Sequence, residues 1–384
     1  MRRAVGGRRG PEAALMRVGL LPALGGGIRA LAQSGQQSRL IDGYFRPYAE
    51  AFDGVSYFSY LPETLAEFTD DPLVLERVRV LAPSGLRARG RRAVEIPFRH
   101  AAELRACRAL RVFQITGVIP ALIARRRFGI PYVTTYGFWY AQLSEPGPKR
   151  VLKRLVERLG LRHAAAVIAT TRELASRASR LARRVELIPN GVDTSRFHPA
   201  AGPRPDGRKR ILYVGRLSAE KNLSTVIAAA GLLGDKVTVV LVGGGPLKDE
   251  LHEQAQAAGV AAEFAGVVDQ RALPAVYASA DAFVLASFTE GHPKVLLEAM
   301  ASGVPCVASD CAGNRSLVTD GRTGFLFDPH APRALADRLS SVLDDPGLAR
   351  RLADAARAEM VARYDLRALV QREIALVRQV AEGS

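Results

Sequence analysis

Short apolar runs recur along the chain, and most are separated by stretches in which apolar residues repeat at helical spacing. The runs that predict strands in the first half lie at 17–21, 78–81, 94–96, 112–115, 131–135, 164–169 and 185–188. Those in the second half lie at 210–214, 237–242, 262–264, 282–286 and 306–309. Alternating strands and helices are typical of parallel sheets covered by helices. The pattern predicts an α/β protein with functional groups at the carboxyl ends of its strands.

The chain of 384 residues is too long for one core, and its composition contains a break. Residues 199–209 are rich in Pro and Gly without apolar periodicity, which predicts a linker. We expect one domain at 16–198 and a second at 210–365, facing each other across a cleft. The last segment, 366–384, carries a helix long enough to return to the first domain. Residues 1–15 are expected to be a disordered leader, or to follow an upstream start codon with the fold beginning at Met16.

Positive charge is concentrated in the first half. Residues 1–200 contain 33 Lys or Arg against 16 Asp or Glu, whereas the remainder contains 21 against 22. This excess suggests an anionic partner, either a membrane surface or nucleic acid, although an Arg-rich solvated surface gives the same count. Two basic amphipathic helices, at 149–162 and 172–184, are compatible with an anionic membrane and with packing on their own sheet. The sequence leaves both open.

Cysteine content and hydropathy indicate the cellular compartment of the protein. Cys107, Cys306 and Cys311 have no ligand spacing and are predicted to be core residues in a reducing environment. No apolar run is as long as a membrane span requires. Neither an Asp-x-Asp pair nor a His cluster offers a metal site, so we expect no metal and no cofactor. A cytoplasmic protein is predicted, with a peripheral position on the inner face of a membrane as an open alternative.

Glycines and cations follow several of the predicted strands. Arg216 and Lys221 come directly after the glycine that ends a strand, and two cations in one loop can neutralise a diphosphate. Three glycines, 243–245, follow the adjacent strand, and three more, 25–27, follow the first strand of the chain. Glycines at these positions would let a ligand approach the backbone, although flexible turns have the same composition.

The segment Phe288 to Pro305 combines a helix start with an apolar-flanked carboxylate. Pro293 suits a first helical turn, and the unpaired amides of such a turn attract phosphate. Glu298 follows five residues later among apolar neighbours, so it requires a partner. That partner is either a cation inside the protein or the hydroxyls of a bound ribose, and the segment alone does not decide.

Taken together, these motifs resemble family 4 of the retaining glycosyltransferases, which have the GT-B fold of two Rossmann-like doubly wound domains. The resemblance covers most of residues 185–330 in the family's order and is looser at 16–180. It rests on Ile188 to Asp193, the Gly215-Arg216-Leu217-x-x-Glu220-Lys221 loop, Val242 to Pro246, Phe264-x-Gly266, Glu290 to Glu298, and Asn314 to Phe327 with its Asp320-Gly321-x-x-Gly324 turn.

The resemblance implies a role for each matching position. Arg216 and Lys221 would hold the donor diphosphate and stabilise it as it leaves, and Glu298 would accept bonds from the ribose hydroxyls. The sugar and phosphate would contact Glu290, Gly291, His292, Pro293 and Lys294. Phe264 to Val267 would border the base, while Gly26 or Gly27 would approach the phosphate from the first domain. Gly215 and Gly244 complete the expected donor site.

One position departs from the family. Many relatives carry a histidine where this chain has Tyr136, close to the transferred sugar; we predict that Tyr136 takes that place, although tyrosine is a poor base. His100 and His163 are weaker substitutes. The predicted activity is transfer of a sugar, with retention, from a nucleotide diphosphate-sugar to a glycan, lipid-linked or small-molecule acceptor.

Three other functions fit the same residues less well. A sugar-nucleotide epimerase or a glycan phosphorylase would use the same kind of cleft. A protein that binds nucleotide sugars or nucleic acid without turnover is the alternative of a different class, and nucleic acid is the less favoured ligand.

Overall fold

The computed structural model describes residues 16–83, 88–139, 147–199 and 207–383. The predicted leader, 1–15, and most of the predicted linker, 199–209, lie outside the described residues. The described residues form two parallel sheets with helices on both faces. One buried apolar cluster belongs to the second sheet and two belong to the first. The predicted two-domain, doubly wound α/β architecture is therefore confirmed.

The first domain contains a parallel sheet of seven described strands in the order β3-β2-β1-β4-β5-β6-β7. Its strands are β1 (Arg17–Leu21), β2 (Gly54–Phe58), β3 (Val78–Leu81), β4 (Ala109–Val112), β5 (Tyr132–Tyr136), β6 (Ala166–Ala169) and β7 (Val185–Leu187). Its helices are α1 (Ile28–Ala32), α2 (Gln37–Leu40), α3 (Arg46–Ala51), α4 (Pro72–Arg77), α5 (Arg89–Arg99), α6 (Ala101–Arg105), α7 (Ile119–Phe128), α8 (Pro148–His163) and α9 (Arg172–Ala178).

The second domain repeats this arrangement with six described strands in the order β10-β9-β8-β11-β12-β13. The strands are β8 (Lys209–Val214), β9 (Val237–Val242), β10 (Ala262–Gly266), β11 (Ala282–Leu285), β12 (Cys306–Ser309) and β13 (Phe325–Phe327). The helices are α10 (Leu223–Leu233), α11 (Lys248–Ala257), α12 (Leu273–Ala278), α13 (Lys294–Ala301), α14 (Ala312–Arg315), α15 (Pro332–Asp344) and α16 (Pro346–Arg363), followed by α17 (Leu366–Glu382). In both sheets the order reverses beside the first strand, the point where such folds bind ligands.

The last helix, α17, packs on the first domain. Its apolar residues Leu369, Val370, Ile374 and Val377 share a buried cluster with the strands of the first sheet. Glu373, on the same face, accepts from the Arg111 guanidinium at 2.7 Å and from the Tyr48 hydroxyl at 2.8 Å. An apolar stripe with one paired carboxylate thus fixes the end of the chain to the domain where it began.

Several predicted elements differ from the structure. The run at 94–96 was predicted to be a strand but lies within α5. Its neighbours Ala93 and Pro97 are both buried, and their spacing of four residues is that of one helix face rather than of a strand. The second basic helix ends at Ala178 rather than at residue 184. Strands β2 and β13 were missed; both are short, and β2 is buried at every position, so no alternation marks it.

Burial of the cysteines agrees with their predicted role. Cys107, Cys306 and Cys311 are buried and free. No helix among the described residues is long and apolar enough to span a bilayer.

Candidate active site

A cleft of about 680 Å³ separates the two domains at the carboxyl ends of both sheets. From the first domain it is lined by Gly26 and Gly27 after β1, by Thr135 near the end of β5, and by the loops that follow β4, β5 and β6. From the second it is lined by Gly215, Arg216, Lys221 and the segment Glu290 to Val295. Loops more than seventy residues apart in sequence therefore border one cavity.

The two predicted cations lie on the second-domain wall of this cleft. Arg216 follows the glycine that ends β8, and its carbonyl accepts from the Tyr213 hydroxyl at 2.9 Å, which fixes the loop. Lys221 reaches Glu290 with 2.6 Å between Nζ and Oε1, and the Ser287 hydroxyl donates to the same oxygen at 2.7 Å. Arg216 is exposed to the cleft, while Lys221 is held in place by a carboxylate.

The start of α13 opens into the same cleft. Pro293 precedes its first residue with extended backbone, at φ −72° and ψ 118°, and no side chain caps the helix. Lys294 and Val295, in its first turn, line the cleft. Uncapped amides at a helix start attract anions, so this wall combines two cations with a helix dipole.

Glu298 has protein partners. It is 2% exposed; Oε1 lies 2.9 Å from the Arg39 guanidinium and accepts from the Gln270 amide at 2.8 Å, while Oε2 accepts from the Tyr277 hydroxyl at 3.0 Å. Arg39 also donates to the Gly191 carbonyl at 2.7 Å. Of the two partners considered from sequence, the internal cation is the one that the structure contains.

Arg39 belongs to a segment of the first domain that crosses to the second. The Gly35 carbonyl accepts from the backbone N–H of Gln270 at 2.8 Å, and the Gln37 side chain donates to Asp269 at 2.7 Å. A Cβ at Gly35, whose φ is +68°, would lie 2.4 Å from the Val268 carbonyl oxygen. Glycine is thus required for the close approach that closes this side of the cleft.

Two titratable groups beside α13 are shifted toward their neutral forms. The nearby Arg39 guanidinium and burial together lower the pKa of Lys294 to about 7, against the opposing effect of Glu298. Burial alone lowers the pKa of His292 to about 4. At neutral pH His292 is therefore uncharged, and its carbonyl accepts from the Asn190 side chain at 2.8 Å.

The glycine loops are explained by internal packing as well as by the cleft. A Cβ at Gly243, whose φ is +135°, would lie 1.9 Å from the Gly215 carbonyl oxygen, and one at Gly245 would lie 2.2 Å from that of Leu217. Gly215 lines the cleft, but Gly244 lies beside Val267 outside its lining. Gly243 and Gly245 therefore let two loops touch, while the role of Gly244 toward a ligand stays a prediction.

The glycine loop of the first domain also has an internal partner. Gly26 and Gly27 line the cleft as predicted. The amides of Ile28 and Arg29 donate to the Glu63 carboxylate at 2.9 and 2.7 Å, so the start of α1 is already occupied by an anion. The first domain thus offers backbone surface here rather than a free helix start.

The prediction for Tyr136 is wrong. Its side chain is fully buried and donates to Glu157 of α8 at 2.8 Å, on the side of the sheet away from the cleft. Burial, together with Glu157, raises the pKa of Tyr136 well above its ordinary value. Adjacent strand residues face opposite ways, so Thr135 lines the cleft instead. His100, which packs on Phe58, and the exposed His163 are not among the residues that line the cleft.

The predicted border of the base lies at the edge of the site. Phe264 packs edge-on against His252 at 5.4 Å between ring centres, and Val267 is half exposed. Neither is among the residues lining the cleft, although Val268 and Asp269 next to them contact the Gly35 segment.

Sequence reasoning missed Arg39 and gave no role to Asn190. Arg39 stands in a polar stretch of the first domain with no motif around it, so no local signal marks it. Asn190 lies within the Ile188 to Asp193 motif and could have been found there. Both make a bond across the cleft, Arg39 to Glu298 in α13 and Asn190 to His292 just before that helix.

Comparison with known proteins agrees with this geometry. The family model described as glycosyl transferases group 1 matches residues 195–359, and that of the glycosyl transferase 4-like domain matches residues 19–191. The two models together cover most of both domains. The chain belongs to the family 4 glycosyltransferases. This confirms the resemblance drawn from the motifs.

Individual members of the family match parts of the chain. Glycogen synthase of Mycobacterium tuberculosis is 39% identical over 187 residues, which are 47% of this chain and 45% of that protein. The GDP-mannose-dependent alpha-(1-6)-phosphatidylinositol monomannoside mannosyltransferase of the same species is 31% identical over 251 residues, 60% of this chain and 65% of that protein. The chain thus matches about half to two thirds of the length of these glycosyltransferases.

Solved glycosyltransferase structures share the fold over nearly the whole chain. Sucrose-phosphate synthase from Thermosynechococcus elongatus superposes with a TM-score of 0.80 at 22% identity, covering 96% of this chain and 100% of that one. Anabaena HepE, solved with UDP and glucose, gives 0.76 at 20% identity, covering 95% and 100%. The predicted GT-B fold is confirmed.

Proposed function

We propose that this protein transfers a sugar from a nucleotide diphosphate-sugar to an acceptor, with retention at the anomeric carbon. The observation that carries the proposal is the meeting of Arg216, Lys221 and the uncapped start of α13 on one wall of the cleft. A diphosphate is the leaving group that two cations and a helix dipole would stabilise best.

The proposed reaction uses these groups at the leaving group. The bond between the anomeric carbon and the diphosphate oxygen breaks, and negative charge develops on that oxygen beside Arg216 and Lys221. An acceptor hydroxyl attacks from the same face, forms the new glycosidic bond and gives its proton to the departing diphosphate. Glu290 holds Lys221 in position, so it acts as a positioning residue. Tyr136 has no part in this scheme.

Relatives suggest the chemistry of both substrates. HepE was solved with UDP and glucose, and the mycobacterial mannosyltransferase is named for GDP-mannose and phosphatidylinositol monomannoside. We propose a UDP- or GDP-sugar as donor and a glycan or lipid-linked acceptor beside the basic first domain, at the inner face of a membrane. A thermal-shift comparison of UDP, GDP and ADP identifies the base, since the bound nucleotide raises the melting temperature.

Product analysis with a labelled donor tests the activity itself. A transferase converts the label into a glycoside and releases nucleoside diphosphate in equal amount. An epimerase yields an isomerised nucleotide sugar, and a phosphorylase requires inorganic phosphate. A binding protein without turnover leaves the donor intact, which would refute the proposal.

Replacing Glu298 by Gln tests its role toward the ribose. If Glu298 exchanges Arg39 for ribose hydroxyls when donor binds, the variant should bind donor about tenfold or more weakly, because a hydrogen bond to a charged group is lost. Calorimetric titration with the donor measures this.

Replacing Arg39 by Met is the matched control for Glu298. It removes the other half of the ion pair but leaves the carboxylate, so donor affinity should be retained or increased. Equal loss of thermal stability in both variants, with unchanged donor affinity, would mean that Glu298 has only a structural role.

Donor affinity should fall as pH rises through neutrality. With a pKa of about 7, Lys294 is largely neutral above that value, and a bound diphosphate favours its charged form. Binding must then take up a proton, so affinity should decrease by roughly three- to tenfold between about pH 6 and about pH 8.5. A nucleotide sugar is the right probe, because its diphosphate has no group that titrates in this range.

Replacing Lys294 by Arg should remove this pH dependence while retaining affinity, because guanidinium stays charged. The same slope in wild type and Lys294→Arg would assign the dependence to another group. His292 is not that group, since its pKa of about 4 keeps it neutral throughout the range.

A further inference from the structure

Four apolar residues of α8 lie on its solvent side. Val151, Leu152 and Leu155 are 66%, 61% and 52% exposed, and Leu159 is 38% exposed. Single exposed apolar residues are ordinary, but a contiguous apolar patch on a surface helix marks a contact site. The sequence left open whether this helix packs its apolar face on its own sheet, and for these residues that alternative is wrong.

A different face of α8 holds the helix to the domain. Gly160 and Leu161 are buried, and the Gly160 carbonyl accepts from the Tyr132 hydroxyl at 2.7 Å. A Cβ at Gly160 would lie 2.8 Å from Ile115, so the glycine permits this close approach. At about 100° per residue, the packed face and the Val151 to Leu155 side point in nearly opposite directions.

Cations surround the exposed apolar stripe. Arg154 and Arg158 are exposed on one flank of the stripe and Lys149 on the other, while Lys153 is exposed on the far side of the helix. We call the exposed parts of α5, α7 and α8 the basic-apolar face. Helix α7 contacts both α5 and α8 and adds its exposed Arg126 and Arg127, and α5 adds its half-exposed Val94 and Phe98. The Arg127 guanidinium lies 4.8 Å from the centre of the Phe98 ring.

The face adjoins the open edge of the cleft. Tyr136, at the carboxyl end of β5, bonds to Glu157 in the middle of α8. Val151 lies six residues earlier on the helix, about 9 Å further toward the edge where the strands end. Thr135, near the end of the same strand, and Phe138, in the loop after it, line the cleft. The apolar stripe therefore stands beside the acceptor side of the site.

We propose that the basic-apolar face docks on an anionic bilayer, with Val151, Leu152 and Leu155 entering the headgroup region and the surrounding cations contacting lipid phosphates. Apolar side chains flanked by Lys and Arg are what an interfacial helix requires. Nucleic acid would use the cations but has no need of the apolar stripe. If the face docks on a bilayer, the acceptor that reaches the adjoining cleft is lipid-linked. This second statement rests on the proposed function.

Co-sedimentation with lipid vesicles tests the docking. The wild-type chain should sediment with phosphatidylcholine vesicles that contain phosphatidylglycerol, and much less with phosphatidylcholine alone or at high salt. The Val151→Asp/Leu155→Asp variant should bind the anionic vesicles about tenfold or more weakly. The control is Leu232→Asp/Val361→Asp, which charges two equally exposed apolar residues of the second domain and should bind like wild type.

Several outcomes would overturn the proposal. Equal vesicle binding by wild type and Val151→Asp/Leu155→Asp would do so, as would the absence of wild-type binding at low salt. A salt-sensitive mobility shift with RNA, or dimerisation that the same variant abolishes, would assign the face to another partner. Release of nucleoside diphosphate from soluble donor should be unchanged in the variant, so failure of docking and failure of the transferase activity are separable.

Discussion

Replacing Lys221 by Ala is expected to slow release of nucleoside diphosphate by about a hundred- to a thousandfold. Lys221 borders the cleft beside Arg216 and the start of α13, where charge develops as the diphosphate departs. Removing one preorganised charge partner from such a site commonly has an effect of this size on kcat. The effect should appear mainly in kcat, because the cation is needed most when the leaving group becomes fully charged.

Two further variants show whether that loss of turnover comes from the missing Lys221 charge. Lys248→Ala removes an exposed cation of the same domain and should leave turnover unchanged. Because Lys221→Ala also leaves Glu290 without its cation, the Lys221→Ala/Glu290→Gln variant shows whether the loss comes from a stranded carboxylate. Wild-type turnover in Lys221→Ala with saturating donor would remove this cation from the mechanism.

Replacing Glu373 by Ala should destabilise the first domain by about 3–5 kcal/mol, since it strands the buried Arg111 guanidinium. Both side chains are almost fully buried, at 3% and 6% exposure, and the Tyr48 hydroxyl loses its acceptor in the same substitution. Trp139, the one tryptophan of the sequence, lies in this domain, so its fluorescence in urea follows the transition.

Two controls separate charge from packing in that experiment. Glu382→Ala, at the exposed end of the same helix, should change stability little. Arg111→Met/Glu373→Leu, which removes both charges, should recover much of the loss, because two apolar side chains need no partner. A loss below about 1 kcal/mol in Glu373→Ala would mean that the ion pair adds little to the attachment of α17.

The second domain was predicted more completely than the first. Its strand ends carry motifs in which glycine, cation and proline have local meanings, so Arg216, Lys221 and Pro293 could be placed on loops and at a helix start before the fold was known. The contacts of Gly243 and Gly245 show what such motifs do not predict. A glycine in a loop permits close approach, but the sequence does not say whether a ligand or another loop approaches.

The errors at Tyr136 and Arg39 lie in the first domain, and both have a geometric cause. Tyr136 was placed in the site because it stands where many relatives carry a histidine. Side chains alternate along a strand, however, and this last residue of β5 points into the core. Arg39 was missed because it acts across the cleft, 259 positions from its carboxylate. No local pattern records a contact over that separation.

By itself, the sequence determined the alternation of strands and helices, the two domains, the family and the loops that carry the donor-site cations. These depend on local residue patterns and short-range backbone preferences. Only the tertiary structure decided that Arg39 pairs with Glu298, that Tyr136 faces the core, and that α8 presents its apolar stripe to solvent. Each depends on which way a side chain or a helix face points once distant segments have packed. Periodicity in the sequence shows that a helix has an apolar face, but it does not show what that face contacts.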